Sequence, residues 1–159
     1  MNQTIIRNWN AKVKPDDIAF YLGDLSFGSF EETNNLVHQL NGKIHYILGN
    51  HDKEDDIKAL NRFESISDYI HLSVLDKDNP RKYQDIIMSH YAILEWDKGH
   101  RGSIMLHGHS HHSLAKDPEN ASYYKRKVLD VGCNGWDYSP LSYEEIKKIM
   151  KDKIISKHH

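Results

Sequence analysis

Hydrophobic residues follow two different spacings along the chain, one typical of helices and the other of buried strands. Apolar side chains recur at helical spacing near the start and predict a helix over residues 2–13. Further helices are predicted from Ser29 to about Leu40, over 53–62 and over 143–152. Short β-prone runs predict the strands, which are expected over 18–22, 43–48, 70–75, 84–88, 103–107 and 127–131.

The interleaving of helices and strands predicts a single α/β domain over residues 1–159. The formal net charge of -2 gives no electrostatic signature of binding to nucleic acid or to an anionic membrane. No apolar run approaches the roughly 20 residues that span a bilayer, and the first residues lack the pattern of a signal peptide. The single cysteine, Cys133, fits a reducing compartment, so we expect a cytoplasmic protein.

Polar side chains with metal-binding chemistry stand directly after four of the predicted strands. Loops at strand ends are held by the sheet yet remain open to ligands. Oxygen and nitrogen donors without thiolate favour Mn, Fe, Zn, Co or Ni, and two such ions about 3.5–4 Å apart would suit phosphoester hydrolysis. The side chains at these strand ends are Asp24, Asn50, His51, His90, His109 and His111.

Four segments contain these residues. In chain order they are YLGDLSFG, ILGNHD, MSHY and LHGHSHH. They resemble the GD, GNH, H and GHxH motifs of the calcineurin-like metallophosphoesterase superfamily. The opening helix and the segment VGCNGWDYSPLSYEEI are similar to a small prokaryotic or phage branch, so the resemblance covers nearly the whole chain. It implies a sandwich of two mixed β-sheets flanked by helices.

The same resemblance implies how the polar side chains would share two divalent metal ions, with manganese the first expectation. Asp24 would bridge both ions. Asn50, His90 and His109 would complete one metal site, and His111 would serve the other. Such a centre would hydrolyse small phosphomonoesters or phosphodiesters. A phosphoprotein substrate is disfavoured, because GDLSFG departs from the longer GDxVDRG motif of protein phosphatases.

Two further assignments concern catalysis and substrate binding. His51 resembles the histidine of the family that is not a metal ligand and that stabilises the transition state or protonates the leaving oxygen. An imidazole suits that role because it titrates near neutral pH. Lys98, His100 and Arg101 lie in a loop between two motif strands, where their charges would hold a substrate phosphate. A solvated loop explains these three residues equally well, and both interpretations stay open.

The sequence departs from the family pattern at its beginning. The family starts with an Asp-x-His motif on its first strand, which supplies two ligands to the ion that His111 serves. No Asp-x-His occurs in this sequence. We therefore expect the first strand of the fold to be missing and one ion, rather than two, to bind tightly. Two alternatives follow: a catalytically impaired scaffold of the same fold, or a longer enzyme in which Met1 is an internal methionine.

Overall fold

The computed structural model describes residues 2–157, which form two packed β-sheets flanked by helices. The helices are α1 (Asn2–Lys12), α2 (Phe30–Val37), α3 (Glu54–Ala59), α4 (Ser113–Lys116), α5 (Ala121–Lys125) and α6 (Tyr143–Met150). The strands are β1 (Ile18–Tyr21), β2 (Lys43–Ile47), β3 (Ser65–Ser67), β4 (Tyr69–Leu75), β5 (Tyr83–Ser89), β6 (Ile104–His107) and β7 (Val128–Asp130). This architecture confirms the predicted α/β sandwich.

The two sheets place their carboxyl-terminal strand ends along one edge of the molecule. The first sheet has the order β1-β2-β3 and is parallel throughout the described residues, whereas the second, β4-β5-β6-β7, is mixed. In the second sheet β4 and β5 pair antiparallel, whereas β5, β6 and β7 run parallel. Polar residues that follow β1, β2, β5 and β6 are therefore brought to neighbouring loops.

Alternation along the strands divides the buried side chains into three layers. In β2, Ile44 and Tyr46 pack with α1 and α2, whereas Ile47 packs with the second sheet. In β5, Met88 faces the first sheet and Ile87 faces the opposite side, toward α5. Successive side chains of a strand point to opposite faces, so each sheet is covered on both sides. This burial explains why the strands were recognisable as apolar runs.

The predicted capping residues locate the amino-terminal ends of the helices more closely than the pattern locates their carboxyl-terminal ends. Capping boxes form at Ser29 with Glu32 and at Ser142 with Glu145. Helix α2 ends at Val37, earlier than predicted, because the following residues form tighter turns. Strand β3 and helices α4 and α5 were not predicted, because each is too short to show a periodic pattern. None of the described helices is long and apolar enough to cross a membrane.

The carboxylate of Asp76 fastens the last helix to the hairpin between β4 and β5. It accepts hydrogen bonds from the Tyr143 hydroxyl at 2.6 Å and from the Lys147 ammonium group, both on α6. These two donors lower the pKa of Asp76 to about 2. Hydrogen bonds to a charged carboxylate favour the charged form, so the contact depends on ionisation.

We expect the contribution of Asp76 to stability to be lost in acid. Its pKa is lower in the folded protein than the ordinary 3.8, so its contribution is complete above about pH 4 and disappears as the pH falls toward about 2. As the pH falls from about 4 to about 2, the free energy of unfolding measured by urea denaturation should therefore decrease less for Asp76→Asn than for the wild type. Asp16→Asn, which alters an exposed carboxylate, should match the wild type. Equal pH dependence of Asp76→Asn and the wild type would contradict the assignment.

Candidate metal centre

Four of the predicted metal ligands meet around one ring nitrogen. The Nε2 atom of His90 lies 3.3 Å from Asp24 Oδ2, 3.0 Å from Asn50 Oδ1 and 3.2 Å from His109 Nδ1. Potential ligand atoms of Asp24, His90 and His109 all lie within 4.8 Å of one another. The first sheet supplies Asp24 and Asn50, and the second supplies the two histidines.

The other ring nitrogen of His90 fixes which atom faces this group. Nδ1 of His90 donates a hydrogen bond to the Leu22 carbonyl at 2.6 Å, since a carbonyl oxygen can only accept. A neutral His90 ring therefore presents the lone pair of Nε2 to a carboxylate oxygen, an amide oxygen and a second imidazole nitrogen. The two oxygens can only accept, and His109 Nδ1 also accepts when its ring carries the proton on Nε2, so a metal ion bound among these atoms would satisfy all four. The donor set fits a divalent transition metal ion.

Two glycines allow the loops at this site to approach closely: Gly23 lies against His90 of the second sheet, and Gly49 lies against Asp24 of its own sheet. A Cβ on Gly23 would lie 2.5 Å from His90 Nδ1 and 2.7 Å from the Gly49 Cα atom. A Cβ on Gly49 would lie 2.2 Å from Asp24 Oδ1. Asp24 itself has a φ of 55°, in the left-handed region that is uncommon for residues other than glycine. The backbone between β1 and α2 is thus shaped by the packing of the site.

Asp52 holds the two loops of the first sheet together. Its Oδ2 atom accepts hydrogen bonds from the backbone N–H groups of Asp24 at 2.9 Å and Gly49 at 2.7 Å, and from the Tyr46 hydroxyl at 2.7 Å. Burial raises the pKa of Tyr46, so its hydroxyl remains a donor. Asp52 was not among the site residues predicted from the sequence. Its position directly after His51 in the GNHD segment was the available signal.

A second buried carboxylate, Asp130 at the end of β7, supports the loop that carries His109. Asp130 is 1% exposed and accepts hydrogen bonds from the Ser110 hydroxyl and from the backbone N–H groups of His112 and Gly132. The loop needs this support because His109 and His112 have φ values of 60° and 64°. Asp130 was also not predicted, although it ends a buried strand two residues before a glycine.

Two further predicted site residues, His51 and His111, are exposed. His51 is exposed, its backbone N–H donates to Asp24 Oδ1 at 2.9 Å, and its ring contacts the ring of Phe27. His111 is also exposed and lies outside the group of three described above. Its Nδ1 atom is 3.3 Å from the Asn134 side chain, and both residues line a cavity of about 310 Å³ with Lys116.

His100 and Arg101 are not brought to this centre. They form a short 3₁₀ turn, Gly99–Arg101, before β6, whereas His109 follows the end of the same strand. The turn therefore lies at the amino-terminal end of β6, at the end of the sheet away from His109. Lys98 contacts Asp85 there. The segment enters β6 instead of leaving it, so its place in the chain between two motif strands does not bring it to the ligand group. The placement gives the predicted phosphate-binding role no support.

Comparison with known proteins identifies the family. The family model described as calcineurin-like phosphoesterase matches residues 2–159. The chain belongs to the calcineurin-like phosphoesterase family. This calcineurin-like phosphoesterase is 33% identical over 158 residues to "Uncharacterized protein MJ1445" of Methanocaldococcus jannaschii, covering 98% of the chain and 78% of that protein. It is 26% identical over 158 residues to "Gene 66 protein" of Mycobacterium phage L5, covering 84% of the chain and 73% of that protein.

A solved structure supports the fold of this calcineurin-like phosphoesterase. The crystal structure of the protein of unknown function AQ665 from Aquifex aeolicus superposes with a TM-score of 0.66 at 23% identity. The match covers 93% of this chain and 84% of the other. Membership of the family implies metal-dependent phosphoester hydrolysis, and the group of Asp24, His90 and His109 provides a place for a metal ion.

The role of Asp130 can be tested by removing its negative charge. Asp130→Asn cannot satisfy the same donors, so the loop that carries His109 should lose its fixed conformation. We expect Mn²⁺ binding, measured by calorimetry, to weaken about 10- to 100-fold, the usual effect of altering a group that supports metal ligands. Asp76→Asn is the matched control, because it removes a buried carboxylate at the far edge of the sheet. Equal Mn²⁺ affinity in both variants would contradict this role.

Proposed function

We propose that this protein hydrolyses small phosphomonoesters or phosphodiesters with the help of a divalent metal ion, manganese being the first candidate. The observation that carries the proposal is the approach of Asp24, Asn50 and His109 to the Nε2 atom of His90. These four residues would hold one ion. When bound, it would polarise phosphoryl oxygens and lower the pKa of a neighbouring water molecule.

His51 would act on the substrate from beside the metal ligands. The hydrogen bond from its backbone N–H to Asp24 holds the residue next to the ligand loop, and its exposure leaves it accessible to a bound phosphoester. A protonated imidazole donates a proton to the leaving oxygen as the ester bond breaks, which prevents the build-up of negative charge on that oxygen. His51 is therefore assigned the general acid.

One observation favours the alternative of a catalytically impaired scaffold. His111, the residue expected to serve a second ion, contacts Asn134 and lies outside the ligand group of Asp24, His90 and His109. If the protein binds one ion at this group but hydrolyses no phosphoester, that result would favour the scaffold function over the enzymatic one. Independent measurements of metal content and of turnover separate the two functions.

We expect the purified protein to bind one equivalent of Mn²⁺ tightly. His90→Ala should weaken binding by more than about 100-fold, beyond the loss caused by changing a supporting residue. His38→Ala, which alters an exposed histidine after α2, should bind as the wild type does. Elemental analysis after dialysis measures the stoichiometry. A folded protein that retains no metal would overturn the proposal, and two tightly held ions would mean that a further group serves as a ligand.

We expect His51→Ala to keep its metal but lose activity. Hydrolysis of bis(p-nitrophenyl) phosphate in Mn²⁺ should fall by about 10²–10⁴-fold, the usual contribution of a general acid. His38→Ala again serves as the control and should retain full activity. If metal is lost together with activity, His51 is a ligand instead of the proton donor.

A further inference from the structure

Two exposed aromatic side chains border the candidate metal centre. Phe27, in the loop after Asp24, is 76% exposed, and Tyr91, directly after His90, is 50% exposed. Single exposed apolar residues are ordinary on protein surfaces, so exposure alone carries no meaning. The contacts of these two rings are more informative, because both rings stand against histidines of the site.

Each ring is fixed by an edge-to-face contact. The Phe27 ring lies 5.1 Å from the His51 ring at an interplanar angle of 67°. The Tyr91 ring lies 4.8 Å from the His109 ring and 5.0 Å from the His90 ring, at 63° and 78°. Such contacts orient the rings yet leave much of their surface in water, as the exposure shows.

The two rings also come from different sides of the site. Phe27 belongs to a loop of the first sheet and contacts the proposed proton donor. Tyr91 belongs to a loop of the second sheet and contacts two of the proposed metal ligands. A phosphoryl group held at the ligands would therefore have exposed aromatic rings from both sheets near its organic group. Flat aromatic groups, including every nucleobase, stack on such rings.

We infer that Phe27 and Tyr91 form a binding subsite for phosphoesters whose organic group is aromatic, such as aryl or nucleoside phosphoesters. The inference rests on the proposed function and narrows its substrate class. Loss of base stacking on an aromatic side chain weakens binding by about 5- to 100-fold. The subsite should therefore show itself as a preference for aromatic over alkyl compounds that carry the same phosphoryl group.

The test compares phenylphosphonate with methylphosphonate, neither of which is an ester that the protein can hydrolyse. Calorimetry on the protein loaded with Mn²⁺ should give a Kd for phenylphosphonate about 5- to 100-fold lower than for methylphosphonate. The double variant Phe27→Ala/Tyr91→Ala should bind both compounds equally. Phe27→Tyr and Tyr91→Phe should keep the preference, which shows that the ring itself is required.

Controls separate failure of the subsite from failure of the proposed function. Tyr83→Ala removes an equally exposed tyrosine at the other end of β5 and should keep the wild-type preference. Equal binding of the two phosphonates by the wild type, or an unchanged preference in the double variant, would overturn the subsite alone. Binding of neither compound would overturn the proposed function and the subsite with it. A higher kcat/KM for adenosine 5′-monophosphate than for ribose 5-phosphate would extend the preference from aryl groups to nucleosides.

Discussion

The hydrogen bond from His90 to the carbonyl of Leu22 joins the two sheets at the edge where the candidate site lies. It connects residues 68 positions apart in the chain and orients the ring whose other nitrogen faces the remaining donors. Gly23 is required by the same contact, because a side chain there would meet the His90 ring, and Gly49 is required by the close approach of Asp24. The geometry of the site is therefore a consequence of how closely the sheets can pack.

Each sheet stabilises its own ligand loop with a carboxylate that does not face the ligand group. Asp52 binds the backbone of the first sheet's loops, and Asp130 binds the loop that carries His109. In both cases the carboxylate accepts several backbone hydrogen bonds, so it replaces contacts that regular secondary structure would otherwise provide. These carboxylates allow Asp24 and His109 to adopt left-handed backbone conformations that would be unfavourable in an unsupported loop.

The sequence was sufficient to predict the fold class, most strands and the loops that carry Asp24, Asn50, His90 and His109, because buried strands are apolar runs and, except before His90, a glycine follows them. It was insufficient for features that depend on packing. Asp52 and Asp130 act through hydrogen bonds to backbone groups, and their positions beside a motif and at a strand end do not by themselves reveal those contacts. His100 and Arg101 were placed near the site by their position in the chain alone, and only the direction of β6 shows that they lie at the other edge.

The origin of the four proposed ligands in both sheets has a consequence for folding. Because Asp24, Asn50, His90 and His109 come from distant parts of the chain, the site does not exist until the sheets have packed together. An ion bound there would act as a non-covalent cross-link between the two halves of the protein, since its binding energy is available only to the folded state. Separation of either sheet from the other would release it.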